Sequence, residues 1–300
     1  MPPRMPTITL LEAPDWSDYE LLDSGSGQKL ERFGAYTFIR PEHQAVWAPA
    51  LPATRWQAAY AVFLPAGGEE TGGKWENRRP LTADWPMTYK GLKFLAHHTS
   101  SRHLGVFPEQ AAHWDWMSQL IARARRPLNV LNLFGYTGLA TLAAAQAGAS
   151  VTHVDAARKS VGWARQNQTL SGLQDRPVRW IVDDALKFVQ REARRGVCYD
   201  GLLLDPPKFG RGPKGEVWDF FTSLPVLLQA CRAVLSPRPV FVVITAYAIR
   251  ASALSLYYSL QAMMSGLAGS VTAGELVASE KSAGRLLSMA IYARWQAELW

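Results

Sequence analysis

The sequence predicts an α/β protein: a mostly parallel sheet with helices on both faces, preceded by a smaller β-rich N-terminal domain. Two observations carry that expectation. From Leu128 onward, near-continuous Val/Ile/Leu strands alternate with helical stretches, the pattern of parallel strands buried on both faces. Residues 1–104 instead hold short apolar stretches between turn signals, the spacing of strands and hairpins. A length of 300 residues suits two domains, at about 150 residues each. The change of pattern puts the boundary between 104 and 105.

In the first domain the turn signals are Gly25-Ser26-Gly27, Pro49, Pro52, Gly67-Gly68 and Gly72-Gly73, with YTFIR and AYAVFL as strands between them. Five Trp (Trp16, Trp47, Trp56, Trp75, Trp85) give a small β unit much surface to bury. Stacking on nucleic-acid bases is the sharper alternative. In the second domain NVLNLF is a strand and LATLAAAQAGA a helix ending at Gly148; VTHVD is a strand and RKSVGWARQNQTL a helix stopped by Gly172. VRWIVDD, YDGLLLD and PVFVVITAY follow as buried strands, with ALKFVQREARR and WDFFTSLPVLLQACRAVL as helices between them, the latter bent or interrupted at Pro225. SALSLYYSLQAMM is a helix, and SVTAGELV and LLSMAIYARW close the sheet.

Composition excludes several classes. Hydrophobic residues at 48% and charged ones at 19% rule out a disordered chain. No apolar run approaches the roughly 20 residues of a membrane span, and MPPRMPTITLLEAPDW, with its lone Arg4, does not read as a signal peptide. Cys198 and Cys231 form no disulfide framework or metal-ligand spacing. His97, His98 and His103 lack companion ligands, so no metal is expected. A soluble cytoplasmic protein is the expectation. Residues 1–104 carry 11 basic and 11 acidic residues; residues 105–300 carry 21 and 14, hence the whole excess of +7. Such an excess favours a polyanion such as RNA, unless it is only surface composition.

In parallel sheets of this kind the ligand lies at the carboxyl ends of the strands. After the first strand comes Asn132-Leu133-Phe134-Gly135-Tyr136-Thr137-Gly138, where Gly135 and Gly138 allow a tight turn and close backbone approach to a ligand. Phe134 and Tyr136 break the GxGxxG of nicotinamide dinucleotide sites. Asp155, followed by Ala156, ends the second strand, 20 positions after Gly135, where a carboxylate accepts from both hydroxyls of a ribose. Asp184 ends the third strand, and Ala185 suits an adenine edge; a helix cap is the plainer role for such an Asp. Asp205-Pro206-Pro207-Lys208-Phe209 ends the fourth. The prolines cannot continue the ladder, which turns their carbonyls toward a pocket, and Phe209 can stack on a planar substrate. Lys208, Arg211 and Lys214, among Gly210, Gly212 and Gly215, form a mobile basic loop suited to clamping phosphate.

In order and spacing, LNLFGYTG, HVDAARKSVGWARQN, DDALKF and YDGLLLDPPKF resemble the class I S-adenosylmethionine-dependent methyltransferases, most of all the group containing the 23S ribosomal-RNA large-subunit methyltransferases I and K/L. The resemblance spans roughly Gly105 to Tyr247. It implies a Rossmann-like seven-stranded sheet with a reversed final hairpin, and S-adenosylmethionine as cofactor. Gly105-Val106-Phe107-Pro108-Glu109-Gln110 resembles that family's G-x-F-x-x-Q segment, which implies that Phe107 and Gln110 lie near the cofactor. The family's cytosine-C5 members carry a nucleophilic Cys just after the fifth strand. Here that stretch reads Val243-Ile244-Thr245-Ala246-Tyr247-Ala248. A covalent route through a thiol is therefore not expected. The expected activity is methylation of a base nitrogen in RNA, ribosomal RNA first. A protein or metabolite substrate, or a cofactor-binding interaction protein with little turnover, are the competing expectations.

Overall fold

The computed structural model describes residues 5–13, 16–66 and 72–298; Arg4 and the Gly67-Gly68 turn signal lie outside them. By internal contacts the chain forms two compact units. One comprises Met1–Leu11, Gln110–Leu276 and Met289–Trp300, the other Glu12–Glu109 and Val277–Ser288. The division is thus not a single cut at residue 104, because the first strand and the last hairpin cross it.

The chain opens with β1 (Ile8–Glu12). The β-rich unit follows with β2 (Tyr19–Gly25), β3 (Gln28–Phe33), β4 (Tyr36–Pro41), a short helix α1 (Ala53–Gln57), β5 (Ala61–Pro65) and β6 (Gly73–Asn77). These strands form one sheet in the order β2-β3-β4-β5-β6, and β7 (Asp84–Tyr89) pairs with β8 (Leu92–His97) as a separate hairpin. The Gly25-Ser26-Gly27 signal is the β2–β3 turn, with Ser26 and Gly27 at φ 51° and 76°. The tryptophans are committed to packing. Trp16, Trp47, Trp56 and Trp75 donate their indole N–H to Thr88 O, Ser24 O, Asp23 Oδ2 and Ser101 O, and Trp85 stacks on Phe38. The histidines are equally engaged: His97 pairs with Asp84 at 3.0 Å, His98 lies flat on Trp75, and burial holds the His103 imidazole down to about 3. The returning segment is tied in by Glu280, which accepts from Ser24 Oγ at 2.7 Å.

The larger unit continues with α2 (Ala111–Arg123), β9 (Asn129–Leu133), α3 (Leu139–Gln146), β10 (Ser150–Asp155), α4 (Arg158–Leu170), β11 (Val178–Val182), α5 (Ala185–Arg194) and β12 (Gly201–Leu204). Then come β13 (Phe209–Arg211), β14 (Val217–Asp219), α6 (Phe220–Ala233), β15 (Phe241–Ala246), α7 (Ala253–Met263), β16 (Gly269–Ser279) and β17 (Leu286–Ala297). Eight strands form the sheet in the order β1-β16-β17-β15-β12-β9-β10-β11. The run from β15 to β11 is parallel, and β17 is antiparallel to β15, which gives the reversed end. There is one strand more than the resemblance implies, because β1 adds to the edge beside β16. Thr9 secures it through Tyr292 Oη at 2.5 Å. Leu131, Leu133, Leu202, Leu204, Val242 and Ile244 fill the sheet's core against Phe188 of α5, Leu227 of α6 and Leu260 of α7. Among the described residues no helix is long and apolar enough to cross a membrane.

Two expectations are corrected. Pro225 lies inside α6, which runs unbroken from Phe220 to Ala233. At the sixth position of the helix the proline removes the N–H that would have bonded the Phe221 carbonyl, so α6 continues without that one bond. The basic loop after the prolines is a two-stranded ribbon, β13–β14, pairing Phe209 with Asp219, Gly210 with Trp218 and Arg211 with Val217.

Candidate active site

Chain order sets the site. From β9 the chain builds outward through β10 and β11, then returns to the other side of β9 for β12 and β15. The carboxyl ends of β9 and β12 therefore flank the point where strand order reverses, and there the crevice of such sheets opens. The Asp205 N–H reaches Leu133 O across this point at 3.4 Å.

The β9–α3 loop is shaped by its aromatics. Phe134 and Tyr136 take φ of 57° and 48°, a region L-residues rarely occupy, and Gly138 takes 83°. Gly135 needs no left-handed backbone. A Cβ there would lie 2.5 Å from His153 Nδ1, so the expected close approach at Gly135 is to the protein's own interior. Beneath the loop, buried Asn132 Nδ2 donates to Thr141 Oγ1 at 2.9 Å, and Thr141 Oγ1 lies 2.9 Å from His153 Nδ1. Thr137 is buried too, its carbonyl accepting from Asn167 Nδ2 at 3.0 Å.

Asp155 closes β10 with both oxygens engaged: Oδ2 accepts from Tyr136 N and Oδ1 from Ala157 N, each at 2.8 Å. The carboxylate is thereby fixed in orientation at the loop's crest. Burial raises its pKa above the ordinary carboxylate value, against the pull of those two N–H groups. Tyr136 sets its ring edge to Trp163 of α4, 6.0 Å between centroids, and Ala156 is half-buried beside Asp155. At the end of β11, Asp183 N reaches Asp155 O at 3.2 Å, and Asp183 pairs with Arg191 at 2.6 Å. Asp184 takes the plainer role, capping α5 through Lys187 N at 2.9 Å with Ala185 buried behind it.

Beyond β12, Asp205 Oδ2 accepts from Gln110 Nε2 at 3.1 Å. Gln110 is positioned by the start of α2, which Arg294 of β17 pins from below. Arg294 donates Nε to His113 Nδ1 and Nη2 to Ala112 O, both at 2.7 Å. Pro206 is buried and Pro207 exposed. The Pro207 carbonyl is held by Trp218 Nε1 at 2.6 Å, so the expectation that both proline carbonyls face an acceptor is revised for Pro207. The same Trp218 packs on Phe134, 4.9 Å between centroids, joining ribbon to loop. Phe209 is 63% exposed, with Lys208 Nζ 5.7 Å from its ring centroid. Arg211 and Lys214 are exposed at the ribbon's far end, whose Glu216 pairs with Lys187 of α5 at 2.6 Å.

The structure thus links Gln110, Asp205, Phe134 and Trp218 on one side of the switch point, and Tyr136, Asp155 and Asp183 on the other. Phe107 belongs to the β-rich unit, where its ring packs on His103. Trp218, Thr141 and His153 were not singled out from sequence. The signal for the last two was a polar side chain inside an apolar helix and strand, which calls for a buried partner. Trp218 gave none. Cys231 is buried in α6, and Cys198 precedes β12, at the opposite end of that strand from Asp205.

A doubly wound sheet with carboxylates at the ends of successive strands around its switch point defines the Rossmann-like class that binds nucleoside cofactors. The profile of the family described as S-adenosylmethionine-dependent methyltransferase matches residues 35–244. The chain belongs to this family. The crystal structure of a SAM dependent methyltransferase from Agrobacterium tumefaciens is 47% identical and superposes with a TM-score of 0.92 over 98% of this chain and 97% of that one. The ribosomal RNA large subunit methyltransferase K/L of Shewanella frigidimarina is 31% identical over 150 residues, 49% of this chain and 20% of that protein. Its counterpart in Shewanella sp. strain W3-18-1 is 32% identical over 152 residues, with 50% and 20% covered. The chain matches about a fifth of the length of these curated relatives.

Proposed function

We propose that the chain methylates a nitrogen of a base in RNA, ribosomal RNA first, in the cytoplasm and without a covalent thiol intermediate. The observation that carries this reading is the Asp205-Pro206-Pro207-Lys208-Phe209 segment. It joins a carboxylate held by Gln110 to an exposed aromatic and a basic ribbon. The residues fit the family's cofactor, because a desolvated, oriented carboxylate such as Asp155 is the acceptor a ribose diol requires. Asp184, besides capping α5 through Oδ1, would meet the adenine beside Ala185, and the Phe134–Gly138 loop and Gln110 the remainder. When bound, S-adenosylmethionine supplies a methyl group already activated on sulfur. What remains for the protein is alignment and electrostatics. Asp205 would hold the acceptor's N–H, the Pro206 carbonyl would set its lone pair toward the methyl, and Phe209 would stack on the base. Lys208, Arg211 and Lys214 would hold phosphate.

Methyl marks on ribosomal and transfer RNA, mapped in a strain lacking the gene, should show one base-nitrogen methylation lost and restored by the wild-type gene. A complete set of marks would sink the reading in favour of a protein or metabolite substrate. The thiols offer an independent check. A Cys198→Ser, Cys231→Ala variant, with Ala chosen because Cys231 is wholly buried, is expected to keep full turnover. Its loss in a folded variant, or trapping of the enzyme on a 5-fluorocytosine substrate, would overturn nitrogen methylation.

A further inference from the structure

We infer that the amino edge of the large sheet, opposite the edge bearing Asp155 and Asp205, is a docking surface for the phosphate backbone of RNA; the inference rests on the RNA reading above. Strands β9, β10, β11, β12 and β15 run parallel, so the segments entering them gather on one edge. Those segments and the adjoining helix ends carry Arg123, Arg125, Arg126, Arg176, Arg194 and Arg238, and no lysine. Arg179 and Arg195 lie there too, both paired with the buried Glu192. Asp200 is paired with Arg126 at 3.0 Å, and the remaining carboxylates besides Glu192 are Asp175 and Glu298. Among the described residues Arg123, Arg125, Arg176, Arg194 and Arg238 are exposed and make no ion pair. The carboxyl edge differs. There Asp155, Asp184, Asp205 and Asp219 stand among the basic groups, and Lys187 and Arg191 are paired to Glu216 and Asp183. The positive excess of residues 105–300 is therefore concentrated away from the cofactor crevice.

Helix dipoles explain part of this. Arg123 and Arg194 occupy the last turns of α2 and α5, where a cation is favoured. Arg125 directly follows the α2 C-cap, whereas Arg176 and Arg238 lie in loops several residues beyond any helix end. The guanidinium is the side chain suited to gripping phosphate oxygens in pairs. A cavity of about 410 Å³ opens between these arginines, lined by Asn129, Ser150, Tyr199 and Arg179 among others, with Arg179 paired to Glu192. A large folded RNA would present a base to the ribbon while its backbone engages this second face.

The test is a salt titration of the full chain binding a 20-nucleotide polyuridylate, with S-adenosylmethionine affinity by calorimetry as the check on folding. Each phosphate contact to a single strand contributes about 0.7 to the log–log slope. An Arg125→Ala, Arg176→Ala, Arg238→Ala variant should flatten the slope by about 2, and an Arg211→Ala, Lys214→Ala ribbon variant by about 1.4. Cofactor affinity should be unchanged in both. An unaltered slope in the triple variant, beside a flattened one in the ribbon variant, overturns the amino-edge surface and leaves the RNA reading standing. Wild-type binding that is absent or insensitive to salt overturns both. Displacement of the RNA by polyglutamate at equal charge concentration overturns the surface as an RNA face in favour of an acidic protein partner.

Discussion

Asp155→Ala should weaken S-adenosylmethionine binding by about 1–3 kcal/mol, a loss of roughly fivefold to more than a hundredfold in Kd, because a charge-assisted contact in a desolvated crevice is removed. The structure makes this side chain doubly consequential. Its two oxygens also take the N–H groups of Tyr136 and Ala157, so its loss releases the crest of the loop. Asn is not a conservative replacement. One position now accepting at 2.8 Å would hold an NH2 facing another donor. The same carboxylate predicts a pH dependence. The ionised form is the one that accepts from hydroxyls, so affinity is present above its pKa and lost as pH falls through it. Burial raises that pKa, so the acid limb should begin at a less acidic pH than an ordinary carboxylate would give. Isothermal titration across pH, with wild type and Asp155→Ala side by side, reads both effects. Equal affinities would take Asp155 out of the cofactor site.

Much of the fold was readable because parallel strands buried on both faces leave a distinctive trace. NVLNL, GLLL and FVVITA are unbroken apolar runs, and each lies in the core as β9, β12 and β15. The helix RKSVGWARQNQTL is α4 to the residue, since Gly172 ends it at φ 66°. What escaped has physical reasons. β1 is an edge strand whose side chains alternate between exposed and half-buried. Its presence depends on a partner more than 260 residues away. β13 and β14 are three residues each, and Gly and Pro between them read as loop chemistry; Trp218, by binding the Pro207 carbonyl, joins the ribbon to the strand exit. In the site, residues at strand ends were legible because topology alone places them at the crevice. The buried Asn132–Thr141–His153 chain was not, since nothing local brings a helix residue under a loop on the far side of a strand.

That chain makes Gly135→Ala a disruptive substitution whose cost falls on one ring. The backbone at Gly135 suits any residue, so the cost is steric: the new methyl would lie 2.5 Å from His153 Nδ1. The ring cannot simply yield. Thr141 Oγ1, which accepts from Asn132, lies 2.9 Å from His153 Nδ1 and ties the ring to α3. Burial holds the imidazole down to about 3, so it is neutral at any working pH and offers no second way to bond. Overpacking of this kind costs about 1–3 kcal/mol, a fall in Tm of roughly 2–4 °C per kcal/mol for a domain of 150–250 residues. Cofactor affinity should fall with it, because Tyr136, whose N–H orients Asp155, is the next residue in the chain. His153→Ala alone should also destabilise, by stranding the Thr141 hydroxyl. Combined with Gly135→Ala it makes room for the methyl, so the double variant should be less impaired than the sum of the two by about 1 kcal/mol or more. Thermal unfolding and calorimetry on the four proteins of this cycle decide the point. If the two losses simply add, the His153 ring is not what Gly135 accommodates, and the loop must be held by its aromatic packing against Trp218 and Trp163 instead.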